Sequence, residues 1–381
     1  MNHLHEDVVE FRQHIARWVD ERLVPVADRL DSDETFSFEL FRELGELGYL
    51  GTMYPESIGG SAASFPYTSF TVLCEELARG SMGFAAGVCM HGSTATHTLY
   101  EWGSAALQEA YLKPALRGEK VGAFAITEPN AGSDAASLKT RATKVDGGYV
   151  LNGTKIFTSN GTVADFITVV ATIDPARGTK GLELFLVDTH WQGFKVGRKL
   201  GKFSLRCSDT AELVFEDVFV PQSHCLGDGS GGGFLKAYKS LTVDRIFTAA
   251  LALGNAQAAY NAAVRYASER SQFGQPIGKF QAVQFRLVDM LAELEQSKIY
   301  TYYASALADR GASITTEAAL AKIIAAERCN EMCQKALSIF GGYGLMSEFP
   351  VQRYLRDSYF PMIGGGTGDI MRLVVARQIG L

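Results

Sequence analysis

Residues 124–134, FAITEPNAGSD, and their sequel at residues 155–161, KIFTSNG, organise this chain. The first stretch is small, hydroxylated and turn-forming. Thr127 and Ser133 offer hydroxyls, Gly132 lets backbone approach a ligand closely, and Pro129 fixes the bend. Asn130 and Asp134 suit turn positions. In the second stretch Phe157 stands two residues before Ser159, so on an extended strand the two side chains point to one face. A flat ring beside hydrogen-bond donors suits a planar heteroaromatic cofactor such as a flavin. A polar loop followed by a half-buried strand is the other reading. These two stretches leave both open.

Around them lies a chain of 381 residues, more than one hydrophobic core usually holds, so two or three domains are expected. An apolar share of 47% with 20% charged residues describes an ordinary globular protein. A formal net charge of -6 gives no electrostatic reason to expect nucleic acid as partner. No apolar run is long enough for a membrane span, and the opening MNHLHEDVVEFRQHI lacks a signal-peptide core, so a cytoplasmic protein is expected. The six cysteines form no CxxC pair and no histidine pairs with another ligand at metal spacing, so no metal site is expected.

Residues 1–118 read as helices. Val8, Phe11, Ile15, Val19 and Leu23 recur at helical spacing up to Pro25. Residues 83–96 are a smooth run of small side chains, for helix packing or for lining a pocket. From 119 the texture changes. Asp146-Gly147 separates two short strands, Asn152-Gly153 reads as another turn, and residues 166–173, 182–187 and 211–220 are rich in Val, Ile, Leu and Phe. Strands without intervening helices predict an antiparallel barrel or sandwich over 119–228. Residues 227–233, GDGSGGG, satisfy GxGxxG, but no βαβ unit surrounds them, so they read as an interdomain connector. Residues 229–381 are helical again, with apolar stripes that predict a helical bundle. The expected fold is therefore α+β, mainly α: a helical domain, a central β-barrel domain and a four-helix bundle. The final loop IGGGT, residues 363–367, precedes a last helix beginning near Asp369, whose amides favour an anion such as a pyrophosphate.

This order of segments, opened in its β part by FAITEPNAGSD, resembles the acyl-CoA dehydrogenase family of flavoproteins over nearly the whole chain. RCSDT at 206–210, FEDVFVP at 215–221, RSQFG at 270–274, FPVQRYLRD at 349–357 and the terminal IGGGTGDI extend the likeness. The resemblance implies FAD, an acyl thioester on CoA or a carrier protein, and an electron acceptor such as an electron-transfer flavoprotein. It places Phe124, Ile126, Thr127, Gly132 and Ser133 along one side of the isoalloxazine, with Ser133 also at the substrate thioester. It places Phe157, Thr158 and Ser159 beside flavin N5. Arg270, Gln272 and Phe273 match positions that reach a neighbouring subunit's FAD. Phe280, Gln281, Ser338, Phe340, Gly341, Gly342, Thr367 and Asp369 match further cofactor contacts. A shared site implies a homodimer or homotetramer.

The family's reaction takes a proton from the carbon next to the thioester carbonyl, and a positioned carboxylate must receive it. Many members carry that base as Glu just before the Gly-Thr of the final loop; here the position is Gly365. A minority place it on the first helix of the C-terminal domain immediately before an Arg, a position that is Asp244 here, followed by Arg245. The expectation is an α,β-desaturase of a short or branched acyl thioester using Asp244, with Arg245, Gly365 and Gly366 near the substrate. An enoyl-thioester reductase or a carrier-protein oxidase of the same fold is the alternative, and a non-catalytic, nucleic-acid-associated relative is a third reading.

Overall fold

The computed structural model describes residues 4–381. Helix α1 (Glu6–Trp18) starts where the His5 ring accepts from Asp7 N, and it buries Val8 and Ile15. The predicted stripe continues to Leu23, but through a wider π-helical turn over Val19–Leu23 that keeps both end residues in the core. Helix α2 (Phe38–Glu46) is capped by Ser37, whose hydroxyl accepts from Leu40 N and satisfies one of the orphan amides of the first turn. Helix α3 (Pro66–Met90) opens on a proline, and the Asp309 carboxylate accepts from Tyr67 N and Thr68 N. It is interrupted at Ser81, where φ is -155° and ψ is 109°. The small residues that follow continue into a fully buried π-helical turn, His91–Thr96.

Seven strands form one curled sheet: β1 (Gly122–Ala125), β2 (Arg141–Val145), β3 (Gly148–Ser159), β4 (Phe166–Thr172), β5 (Leu182–Asp188), β6 (Phe194–Lys199) and β7 (Thr210–Pro221). The order is β1-β4-β2-β3-β7-β6, with β5 on β4. Antiparallel pairing dominates as expected, while β1 runs parallel to β4 and β2 meets β4 in parallel at Arg141 and Thr172. The Asp146-Gly147 hairpin turn is present, Gly147 taking φ 76°. Asn152-Gly153 is no turn. Both residues lie inside β3, where the β3–β7 register shifts between Leu151 and Gly153. Gly153 has φ 151°, and a Cβ there would come within 2.6 to 2.8 Å of Thr140. The local Asn-Gly signal is a bulge, because β7 holds the strand in place on both sides.

After the glycine-rich connector come α4 (Gly233–Glu269), α5 (Gln281–Asp309), α6 (Thr315–Phe340) and α7 (Gly368–Gln378). Helix α4 is buried through its middle, from Asp244 to Ala256, and packs most extensively against α3 and α6. At Gly254 the approach to α3 is so close that a Cβ would lie 2.0 Å from Glu75 O. Phe70 of α3 and Phe247 of α4 meet edge to face at 4.6 Å between centroids, both fully buried. One core therefore runs from Val8 through α3 and α4 to Phe340. A second fills the curl of the sheet, and a third joins the sheet to Tyr54, Leu99 and Leu112 of the N-terminal segment.

Candidate active site

The two stretches read first from the sequence lie side by side. Ile156 N donates to Thr127 O at 2.9 Å, and Lys155 Nζ donates to Ile126 O at 2.9 Å and to Glu128 Oε1 at 2.8 Å. Glu128 also accepts from Lys139 N and Thr140 N, so both its oxygens are engaged in holding the loop. Its role is structural. The Lys155 ammonium is wholly buried; burial pushes it down to about 8, against the pull of Glu128. The β3–β7 register shifts again between Lys155 and Thr158, and Phe157 takes a left-handed φ of 58°. Non-glycine residues in that region are strained and cluster at functional sites. The bulge leaves Phe157 66% exposed and Thr158 buried, its hydroxyl without a hydrogen-bond partner among the described residues. An exposed ring beside an orphaned hydroxyl is what a flat cofactor with hydrogen-bonding edges would complete. Phe124, Ile126, Thr127 and Ser159 are half-buried here, and Gly132 and Ser133 are exposed.

A second group gathers elsewhere on the chain. Arg270, Gln272, Phe340, Gly341 and Gly342 line a cavity of about 500 Å³ with Tyr266 and Tyr343. Phe340 stacks on Tyr266 at 4.1 Å, Arg270 lies 5.4 Å from the Tyr343 ring centroid, and Gly341 turns the chain at φ 59°. Phe273 is 95% exposed and touches Phe280, which caps α5 ahead of Gln281. Ser338 spends its hydroxyl on Gln334 O and does not line this cavity. No hydrogen bond among the described residues joins this group to the Thr127–Phe157 group. Thr367 caps α7 by accepting from Ile370 N, and Asp369 is exposed in the first turn.

The missing glutamate and the alternative carboxylate turn out to be neighbours. A Cβ on Gly365 would stand 3.1 Å from Asp244 Oδ2, 3.8 Å from Thr248 Oγ1 and 3.9 Å from Lys322 Cε. Positions 244 and 365, far apart in the chain, thus meet in space. Ser93 Oγ donates to Asp244 Oδ1 at 2.6 Å, and Thr248 Oγ1 lies 3.4 Å from Oδ2. Burial raises the Asp244 pKa above the usual carboxylate value, opposed by the Ser93 hydrogen bond and the charges of Lys322 and Arg245. Lys322 donates to Gly366 O, tying α6 to the glycine loop. Sequence reading missed Ser93, Thr248 and Lys322. A lysine inside the apolar stripe of α6 was the one local signal; Ser93 reaches Asp244 only through the packing of α3's continuation on α4.

Three family models cover the chain: acyl-CoA dehydrogenase N-terminal domain over residues 5–119, middle domain over 123–218 and C-terminal domain over 231–380. Benzylmalonyl-CoA dehydrogenase of Aromatoleum aromaticum is 46% identical over 366 residues, covering 96% of this chain and 95% of that protein. Butyryl-CoA dehydrogenase from Megasphaera elsdenii superposes with a TM-score of 0.96 at 36% identity, covering 99% of this chain and 98% of that one. The structure of PigA with FAD and proline superposes with a TM-score of 0.95 at 30% identity, covering 99% and 98%. With the fold and the sequence agreeing, the chain belongs to the acyl-CoA dehydrogenase family, whose members are FAD-dependent oxidoreductases acting on CH–CH groups.

Proposed function

We propose that this protein desaturates an acyl-CoA branched at C2, with Asp244 receiving the C2 proton. The observation that carries the reading is the 3.1 Å between the Asp244 carboxylate and the Cβ position of residue 365. A carboxylate near that point can serve the same reacting carbon from either position. Bound FAD supplies the acceptor for the hydride leaving C3. Residues 124–133 and 157–159 would hold its ring system, the buried Thr158 hydroxyl facing one edge. The group around Arg270, Gln272 and Phe273 would reach the cofactor of a second copy of the chain, which suits an exposed Phe273 and the exposed Phe285, Val288 and Ile299 of α5. In this reading the chain divides into units 1–118, 119–228 and 229–381, the site lying where they meet.

The chain's own chemistry at the base is a matter of position and solvation. Ser93 fixes one carboxylate oxygen and leaves Oδ2 toward the glycine loop. Burial makes Asp244 a stronger base than an exposed aspartate, since the protein solvates its charge less well than water does. Asp244 is 1% exposed and Gly365 is exposed above it, so substrate meets the carboxylate by displacing the side-chain-free loop of residues 364–366. The absence of a side chain at 365 also makes room for a substituent at C2. Benzylmalonyl-CoA, the compound in the relative's name, is branched at that carbon.

The test is anaerobic bleaching of the bound flavin by a panel of straight and C2-branched thioesters on CoA and on carrier-protein arms. Rapid bleaching by a C2-branched acyl-CoA is expected. In Asp244→Asn the bleaching rate should fall by ~10²–10⁴-fold with FAD still bound, the usual worth of a general base. Unchanged bleaching in that variant would move the base elsewhere.

A further inference from the structure

Lys322 stands on α6 where the helical stripe calls for an apolar side chain. It is 1% exposed, beside the buried Ala318, Ala321, Ala325 and Ala326. Taking an ammonium out of water is costly, so a buried one needs partners. Its Nζ donates to the carbonyl of Gly366, and among the described residues no other side chain hydrogen-bonds the backbone of residues 364–366. Apart from burial, which disfavours both charges, the group that acts most on Lys322 is Asp244, and Lys322 is the cation that acts most on Asp244. One point joins the two. A Cβ at residue 365 would stand 3.1 Å from Asp244 Oδ2 and 3.9 Å from Lys322 Cε.

The loop gives this contact its use. Gly365 and Gly366 take φ of 66° and 100°, and three successive glycines leave the backbone with little of its own to fix it. Gly364 N donates to Phe360 O at 2.8 Å on one side, and Thr367 caps α7 on the other. Between these two anchors Lys322 holds the loop. We propose that Lys322 is a positioning residue for the proton transfer: it latches the glycine loop at Gly366 and sets a positive charge beside Asp244. The loop yields at Gly365 to admit substrate while its end at Gly366 stays in place. The charge favours the deprotonated carboxylate, the form that receives the C2 proton. Other groups around the pair do not replace it. Ser93 and Cys89 approach Asp244 Oδ1 at 2.6 and 3.9 Å, Thr248 lies 3.4 Å from Oδ2, and Arg245 rests on Tyr238. On its far side Lys322 borders a cavity of about 280 Å³ with Glu327, Asp369 and Arg372. There Glu327 is paired with Arg372 at 2.6 Å, and Asp369 is exposed. This inference rests on the reading of Asp244 as base.

Lys322→Met removes donor and charge and puts an unbranched apolar side chain into the stripe. Lys322→Gln, uncharged and shorter, serves in its place should methionine disturb the packing, and Lys322→Arg keeps both donor and charge. Two measurements on the FAD-loaded enzyme read the two halves of the role. Hydrogen exchange of the amides of residues 360–371, followed by mass spectrometry, should be ~10-fold faster in Lys322→Met and near wild type in Lys322→Arg, the scale of one lost charge-assisted hydrogen bond. The second is the pH profile of flavin bleaching by whichever thioester of the panel above bleaches wild type fastest. Its acidic limb should move up by ~1 pH unit in Lys322→Met and stay in place in Lys322→Arg. A merely structural lysine would loosen the loop without moving the limb. Unchanged exchange in Lys322→Met overturns the proposal, and so does an unmoved limb; in both cases the base reading stands if Asp244→Asn still abolishes bleaching. Full bleaching by Asp244→Asn, or no bleaching of wild type by any thioester, removes the base reading and this role with it.

Discussion

Removing the Ser93 hydroxyl takes away the 2.6 Å hydrogen bond that favours the charged form of Asp244. In Ser93→Ala the carboxyl therefore titrates at higher pH. A base acts deprotonated, so the acidic limb of the kcat/KM profile should move to higher pH while the plateau above it changes less. A limb that stays where it is in wild type would mean that Asp244 is not the titrating base. Asp244 could be picked out from the sequence because a glycine at 365 and an arginine at 245 pointed to it. Ser93 could not. Its hydroxyl is one of several in a small-residue run, and only the fold of His91–Thr96 against α4 brings it to the carboxylate. Lys322 was hidden for the opposite reason: it sits in an apolar stripe, where a helical pattern assigns packing.

At the level of elements, hydrophobic spacing separated helical ends from a stranded middle, since those signals are local. The pairing of strands is not. Nothing in residues 122–125 says that they run parallel to 166–169, and nothing at 152–153 says that β7 will hold an Asn-Gly pair straight. Gly153→Ala tests that bulge. The new methyl meets Thr140 at 2.6 to 2.8 Å and the backbone sits where L side chains are rare, so a loss of ~1–3 kcal/mol is expected in chemical denaturation. Full stability in that variant would show that β3 can relax there. The π-helical turns over 19–23 and 91–96 were equally invisible, because their side chains continue an α-helical stripe closely enough to pass for one.

For the molecule as a whole, pH reports on burial. His91 accepts from Gly122 N at 3.0 Å and His97 lies 3.1 Å from the Ser240 hydroxyl, and burial pushes both down from 6.5 to about 4. The unfolded chain takes up these protons first, so their stabilisation is present above pH 6.5 and is lost as pH falls through about 4. Asp357, pushed up from 3.8 to about 6 by burial, works against this: its contribution is full below 3.8 and is lost as pH rises through about 6. The two histidines pull the urea midpoint down between pH 7 and pH 5, against Asp357 and the likewise raised Asp244 and Asp309. In His97→Gln that drop should be smaller; an identical slope would remove His97 from the account. The same interweaving of distant segments has a consequence for biosynthesis. Helix α3 buries its apolar surface against α4, which leaves the ribosome well over a hundred residues later. Until then the part of this surface that meets α4, Phe70 against Phe247 included, is uncovered, so the nascent N-terminal segment should be a client for chaperones long before it is part of an enzyme.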